Sequence, residues 1–179
     1  LAAPSANIST KISPVSKEDV REEFGNKIKF ILDGGRSRIG LESTIISLVN
    51  KPKILRLGGI ERAKINKVLK KNIRYVIKNK KINAPGQFKL HYSPGIPIRL
   101  NAKNSKTNEA FILIKKRKKS SINYFYLSKT KDFKQAAKNL YKILRLIKNK
   151  NYESIAVEKI PKIGFGEAIN DRLKKASGK

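Results

Sequence analysis

The chain contains no cysteine, no methionine and no tryptophan, and it has a single histidine. Without cysteine there are no disulfides, thiolate zinc sites or cysteine nucleophiles. One histidine cannot build a multi-histidine metal centre. Methionine is missing even from position 1, where the sequence reads Leu1-Ala2-Ala3-Pro4. Such a start is expected of a processed chain or of a fragment. Long hydrophobic runs are also lacking. Phe111 to Ile114 is far shorter than the ~20 apolar residues needed to cross a bilayer, and no signal or transit segment is visible. The expectation is a soluble cytoplasmic protein with no membrane partner.

Negative charge is scarce. There are 13 Asp and Glu against 42 Lys and Arg, for a net charge of +29. A charge of this size fits a nucleic-acid partner. A second reading competes with it. Lys accounts for 32 residues, Ile for 24 and Asn for 15, the enrichment expected of A/T-rich codons. Arg, which forks onto phosphate and stacks on bases, is the minority cation. The charge is uneven: net +4 over residues 1–60, +12 over 61–108 and +13 over 109–179. An RNA partner and a merely solvated lysine surface both stay open.

What is present suffices for a globular fold. The chain has 179 residues, 39% of them hydrophobic and 7% aromatic, which is one domain or two small ones and too apolar for a disordered chain. Ser16 reads as the N-cap of a helix, with acids in its first turn and Gly25 as its stop. Residues 28–33 alternate and read as a strand ending at Gly34-Gly35. Residues 43–49 and 54–57 read as two more strands, joined by a hairpin turn through Asn50-Lys51-Pro52-Lys53. Residues 61–70 read as a short helix. Residues 71–98 carry lysine runs, three prolines and no sustained period, so they read as a linker, long enough to lie across something. Strands follow at 110–114, 123–127 and 154–160. Helices are expected at 132–149, where Phe133, Ala136, Ala137, Leu140, Tyr141, Leu144 and Ile147 form one apolar stripe, and at 166–177. The alternation predicts an α/β fold with a parallel pair of strands in its C-terminal part.

Five places are candidates for chemistry. Ala3-Pro4-Ser5-Ala6-Asn7, with Ser9, Thr10 and Ser13, exposes amides and hydroxyls suited to phosphate or carboxylate, although an ordinary Ser/Asn loop is the simpler reading. Gly40-Leu41-Glu42-Ser43-Thr44 opens a strand, and its Glu42 reads as solvated. Arg56 interrupts an apolar strand; it either aims a fixed positive fork into a cleft or faces water from an edge. His91-Tyr92 lies between Pro85-Gly86 and Pro94, as a surface aromatic or as a lid on a nucleotide. His91 has no partner nearby in sequence to make it a general base. Gly164-Phe165-Gly166 lacks the third glycine of a dinucleotide fingerprint and reads as a tight βα turn.

Several of these segments also match a known family, in order. Ala3-Pro4-Ser5-Ala6-Asn7-Ile8-Ser9, Leu32-Asp33-Gly34-Gly35, Gly40-Leu41-Glu42-Ser43-Thr44-Ile45 and Arg56-Leu57-Gly58 resemble the second half of a YrdC-like domain. Pro85-Gly86 with His91-Tyr92-Ser93-Pro94 resembles the linker of the two-domain threonylcarbamoyl-AMP synthases. Ala168-Ile169-Asn170-Asp171-Arg172-Leu173 resembles that family's C-terminal end. The resemblance implies the C-terminal half of a YrdC-like twisted α/β sheet domain over 1–70, a linker over 71–98 and a small Rossmann-like α/β domain over 99–179. It implies a nucleotidyltransferase that makes threonylcarbamoyl-adenylate and pyrophosphate from L-threonine, bicarbonate and ATP, with Mg²⁺, for threonylcarbamoyladenosine modification of tRNA. On that basis Ser5, Ser13, Arg56 and Tyr92 would contact ATP, Ala3 (through its backbone) and Ser43 would contact threonine, and Asn7 would support its loop. The implied partners are tRNA or double-stranded RNA and the proteins that transfer the threonylcarbamoyl group.

Two departures accompany the resemblance. Ser9-Thr10-Lys11-Ile12-Ser13-Pro14 lacks the Gly and Pro often found before the second serine, which would displace Ser13 slightly. The family's N-terminal half, with its lysine/arginine pair, is not in the sequence. The expectations are a C-terminal fragment, inactive alone, whose residues 1–70 fold poorly in isolation because half a sheet leaves an open edge. A YrdC-like module of a carbamoyltransferase and a basic RNA-binding protein are the alternatives.

Overall fold

The computed structural model describes residues 5–76, 84–86 and 88–178. Helix α1 (Lys17–Phe24) starts where Ser16 Oγ accepts a hydrogen bond from the Asp19 amide, and it ends at Gly25 with φ +53°. A short 3-10 turn follows over Gly25–Lys27. Residues 28–33 are not a strand. Their alternation is real, but no described strand pairs with them, so Phe30 and Leu32 are left 89% and 95% exposed. A strand is a property of a ladder, and this segment has none.

The first sheet has the order β1-β2-β3. Strands β1 (Ile45–Ser47) and β2 (Lys53–Arg56) form the expected antiparallel hairpin, shorter than the sequence suggests. Helix α2 (Arg62–Leu69) follows, and β3 (Arg74–Tyr75) then pairs parallel with β2. Gly58 lies just beyond β2. A Cβ there would come within 2.3 Å of the Glu42 carbonyl oxygen, so only glycine lets this chain approach the Glu42-Ser43 backbone.

The second sheet is fully parallel, in the order β4-β7-β5-β6. Its strands are β4 (Ile98–Arg99), β5 (Glu109–Lys115), β6 (Tyr124–Ser128) and β7 (Ser154–Val157). Central β5 is buried on both faces, which is why it reads as one apolar run rather than an alternation. Ala110, Ile112 and Ile114 face the main core, while Phe111 and Leu113 join Ala102 and Ala156 on the other face. Helix α3 (Phe133–Lys148) is capped by Asp132, which accepts from the amides of Lys134 (2.7 Å) and Gln135 (3.2 Å). Its stripe packs against the sheet and against α4 (Phe165–Ala176).

Residues 71–98, expected as linker, include β3 and the first residue of β4. Within this segment, residues 91–93 run between parts of the chain near its two ends. The His91 amide donates to the Lys175 carbonyl, and the Ser93 amide to the Thr10 carbonyl. One core cluster runs through both sheets, from Ile12, Leu41, Ile54 and Leu57 to Leu140, Leu144, Ile155 and Leu173.

Candidate functional site

Arg56 settles between its two sequence readings. It is 8% exposed at the end of β2, so it does not face water from an edge. Its Nε donates to the Ser43 carbonyl (3.0 Å) and an amino nitrogen donates to Ser43 Oγ (3.0 Å). The hairpin makes this possible, because it brings Ile45 opposite Arg56. Gly86 closes the other side. A Cβ at Gly86 would lie 2.4 Å from Tyr92 Oη and 3.3 Å from Arg56 Cδ. Arg56, Ser43, Gly86 and Tyr92 therefore meet, although they are spread over fifty positions.

Tyr92 is not a surface aromatic. It is 1% exposed, and its backbone is left-handed at φ +64°, a conformation that costs a residue with a side chain about 1–2 kcal/mol. Its ring stacks on Tyr141 with centroids 5.7 Å apart, and His91 lies 4.0 Å away. Among the described residues, the Tyr92 hydroxyl and His91 Nδ1 are buried without a hydrogen-bond partner. Burial pushes the Tyr92 hydroxyl up to about 12 and pushes His91 below its ordinary value, so both are neutral at pH 7.

Glu42, read from sequence as solvated, is instead the centre of a buried network, with its side chain 17% exposed. It accepts from Ser13 Oγ (2.7 Å) and from Tyr141 Oη (2.9 and 3.1 Å). Arg172 donates to it from Nε (3.0 Å) and from an amino nitrogen (2.9 Å). Burial alone would raise the Glu42 carboxyl, but the Arg172 charge and the Ser13 hydrogen bond hold it below the usual range. Arg172 is fully buried and also pairs with Asp171 (2.6 Å), which in turn accepts from Lys175 (2.8 Å) and Tyr75. Sequence reasoning missed Arg172 and Tyr141 as site residues. One sat in a terminal motif, and the other looked like part of an apolar stripe.

Ser5 and Ser13 line one cavity of about 230 Å³ together with Glu42 and Tyr141. Arg56, Ser43 and Tyr92 do not line that cavity; Glu42 connects the two groups through Ser13 and its neighbour Ser43. Asn7 supports the loop through its side-chain amide, which donates to the carbonyls of Ile8 (3.0 Å) and Lys11 (3.3 Å). Ala3 lies outside the described residues. A larger concavity, of about 710 Å³, is lined by other residues, among them Arg38, Lys64, Lys134 and Gly164. It holds none of the predicted ligand residues. Gly164-Phe165-Gly166 is the tight βα turn expected, because a Cβ at Gly166 would fall 2.1 Å from the Pro161 carbonyl oxygen. Among the described residues no group of three or more Asp, Glu or His could hold a metal ion.

Residues 60–178 match the family model described as threonylcarbamoyl-AMP synthase, C-terminal domain, and residues 1–58 match one described as telomere recombination. The threonylcarbamoyl-AMP synthase of Pyrococcus abyssi is 35% identical over 99% of the chain and 58% of its own length. The Bacillus subtilis protein of the same name is 31% identical over 99% of the chain and 57% of its own length. The crystal structure of P. abyssi Sua5 complexed with L-threonine superposes with a TM-score of 0.83 at 35% identity, covering 99% of this chain and 57% of that one. The chain thus spans little more than half the length of the relatives it matches. Both family models, met in this order and without a gap of more than one residue, mark this chain as a member of the threonylcarbamoyl-AMP synthase family.

Proposed function

We propose that this chain carries part of an L-threonylcarbamoyladenylate synthase, a nucleotidyltransferase that joins L-threonine, bicarbonate and ATP and releases pyrophosphate. The observation that carries the proposal is the buried Arg56 guanidinium, locked on Ser43, with the Arg56 side chain and Tyr92 Oη both lying against Gly86. An arginine fixed in a low-dielectric site is a ready partner for a phosphate, and a serine hydroxyl beside it suits a small polar substrate. In this reading Arg56, Ser5, Ser13 and Tyr92 hold ATP, while Ser43 and Ala3 hold threonine.

The chemistry needs positioning more than covalent help. The threonine amine adds to the carbon of bicarbonate, and water leaves. A carbamate oxygen then attacks the α-phosphorus in line, and the bond to pyrophosphate breaks. Arg56 would offset the charge that develops on phosphate oxygens, and the neutral, buried ring of Tyr92 would exclude water. The carboxylates of Glu42 and Asp171 are taken by Arg172 and Lys175. They do not fit a protein-held Mg²⁺ centre.

We further propose the division into 1–70, 71–98 and 99–179, a cytoplasmic setting, and tRNA as the eventual acceptor through separate transfer proteins. Among the described residues no helix is long and apolar enough to cross a membrane. The test is pyrophosphate release dependent on ATP, L-threonine and bicarbonate. It is run on the 179-residue chain and on the polypeptide extended at its N-terminus to the length of its relatives. Turnover in the extended form that falls at least tenfold with Ser43→Ala or Arg56→Ala supports the proposal. Absence of threonine-dependent release from both forms sinks it, and binding of RNA that weakens steeply with salt would then favour the RNA reading.

A further inference from the structure

Arg172 lies on α4, far along the chain from Ser43 and Arg56, yet its guanidinium reaches the surroundings of every described site residue but Ser5. It holds Glu42, the residue before Ser43, by two donors at 3.0 and 2.9 Å. It donates to the carbonyl of Leu57, the residue after Arg56, at 2.7 Å. Its carbon centre sits 4.8 Å from the Tyr92 ring centroid, and the Tyr141 hydroxyl lies 3.1 Å from Nε. Through Glu42 it also fixes the Ser13 hydroxyl.

We infer that Arg172 is a positioning residue through which the C-terminal unit sets the geometry of the ATP and threonine site. The inference rests on the function proposed above.

The chemistry of the side chain supports the role. A guanidinium has five N–H donors in a rigid plane, and here both edges and one face are in use. A lysine at 172 would keep the charge but has three donors and no fork. The group is 0% exposed, so its position is dictated by its partners rather than by solvent, and two carboxylates balance it on opposite sides. Moving that plane would shift Glu42 and Leu57 together, and with them the neighbouring Ser43 and Arg56. In-line transfer tolerates little displacement: about 1 Å of misplacement can cost on the order of a hundredfold in rate.

A second buried carboxylate separates positioning from mere stability. Glu109 is 2% exposed and held by Arg99 at 2.6 Å, in the parallel sheet and away from these residues. The experiment compares Arg172→Lys, Glu42→Gln, the double variant and Glu109→Gln. Turnover is measured in the extended polypeptide and amide hydrogen exchange in the 179-residue chain. Both single variants should lower kcat/KM at least tenfold, and the double should be no worse than the more impaired single, because one contact is broken in each case. Exchange should quicken at residues 42–44, 56–59 and 91–93. Glu109→Gln should leave kcat/KM and those segments unchanged, whatever it does to the melting temperature. A parent without threonine-dependent turnover overturns the proposed function and this inference with it. A parent that turns over overturns the positioning role alone if the single variants stay within twofold of it, if the double shows additive losses, or if exchange at 42–44 and 91–93 does not change.

Discussion

Glu42 shows how much a single residue owes to its surroundings. In sequence it is a lone acid in a glycine-rich turn. Folded, it collects hydrogen bonds from Ser13, Tyr141 and Arg172. Its carboxyl is held below the ordinary value of 4.5, so the folded state binds its proton less readily than the unfolded state does. The stabilisation is therefore complete above about pH 4.5 and is lost as pH falls through the lowered folded value. The stability difference between the parent and Glu42→Gln should be constant from pH 7 to about 5 and should shrink below pH 4.5. Urea midpoints across pH 2.5–7 measure it. Glu109, also held low, is common to both proteins and cancels in the difference. A gap that stays constant down to pH 2.5 would remove the ion pair from the account.

At the level of elements, legibility tracked how local the signal is. Helix α3 has its whole specification within eighteen residues: an Asp132 cap, an apolar stripe and basic residues in the last turn. The same locality makes α3 easy to perturb in a defined way. Asp132→Ala removes the acceptor for two first-turn amides and should cost about 1 kcal/mol. Thermal unfolding would show it, with the stripe intact and the far-ultraviolet spectrum little changed. An unchanged melting temperature would mean that the cap contributes nothing to α3. Residues 28–33 are the opposite case. They alternate as a strand should, but pairing needs a neighbour that sequence cannot supply, and Phe30 and Leu32 remain exposed. β1 and β2 fall between these cases. Their turn is local and was readable, while their ends are set by which residues find partners.

Over the whole molecule, the two sheets share one core. Ile12, Val15, Leu41, Ile54, Leu57 and Ile65 lie in the first seventy residues and belong to the same cluster as Leu140, Leu144 and Leu173. Ion pairs cross the same seam. Arg62 reaches Glu167, and Arg145 reaches Asp19 and Glu23. Residues 1–70 on their own would leave that apolar surface open, Arg56 without Gly86 and Tyr92 beside it, and Glu42 without Arg172. We expect that segment to show no cooperative thermal transition in isolation. A sharp, reversible melt for residues 1–70 would refute this.

Net charge and the absence of cysteine follow from counting residues; helix periods, caps and turns were fixed by residues close together along the chain, and so was each motif of the ordered set that marks the family. These signals act over one or two turns of helix or a few positions of strand, within reach of the local backbone. What the tertiary structure decided was the company each polar group keeps. Arg56 became buried rather than edge-facing, Glu42 paired rather than solvated, and Tyr92 enclosed rather than exposed. Arg172, with no role legible in sequence, became the group that ties them together. The reason is physical: the state of a buried charge depends on partners brought from as far as 130 positions away, and only the packing of the second sheet and α4 against the first brings them within 3 Å.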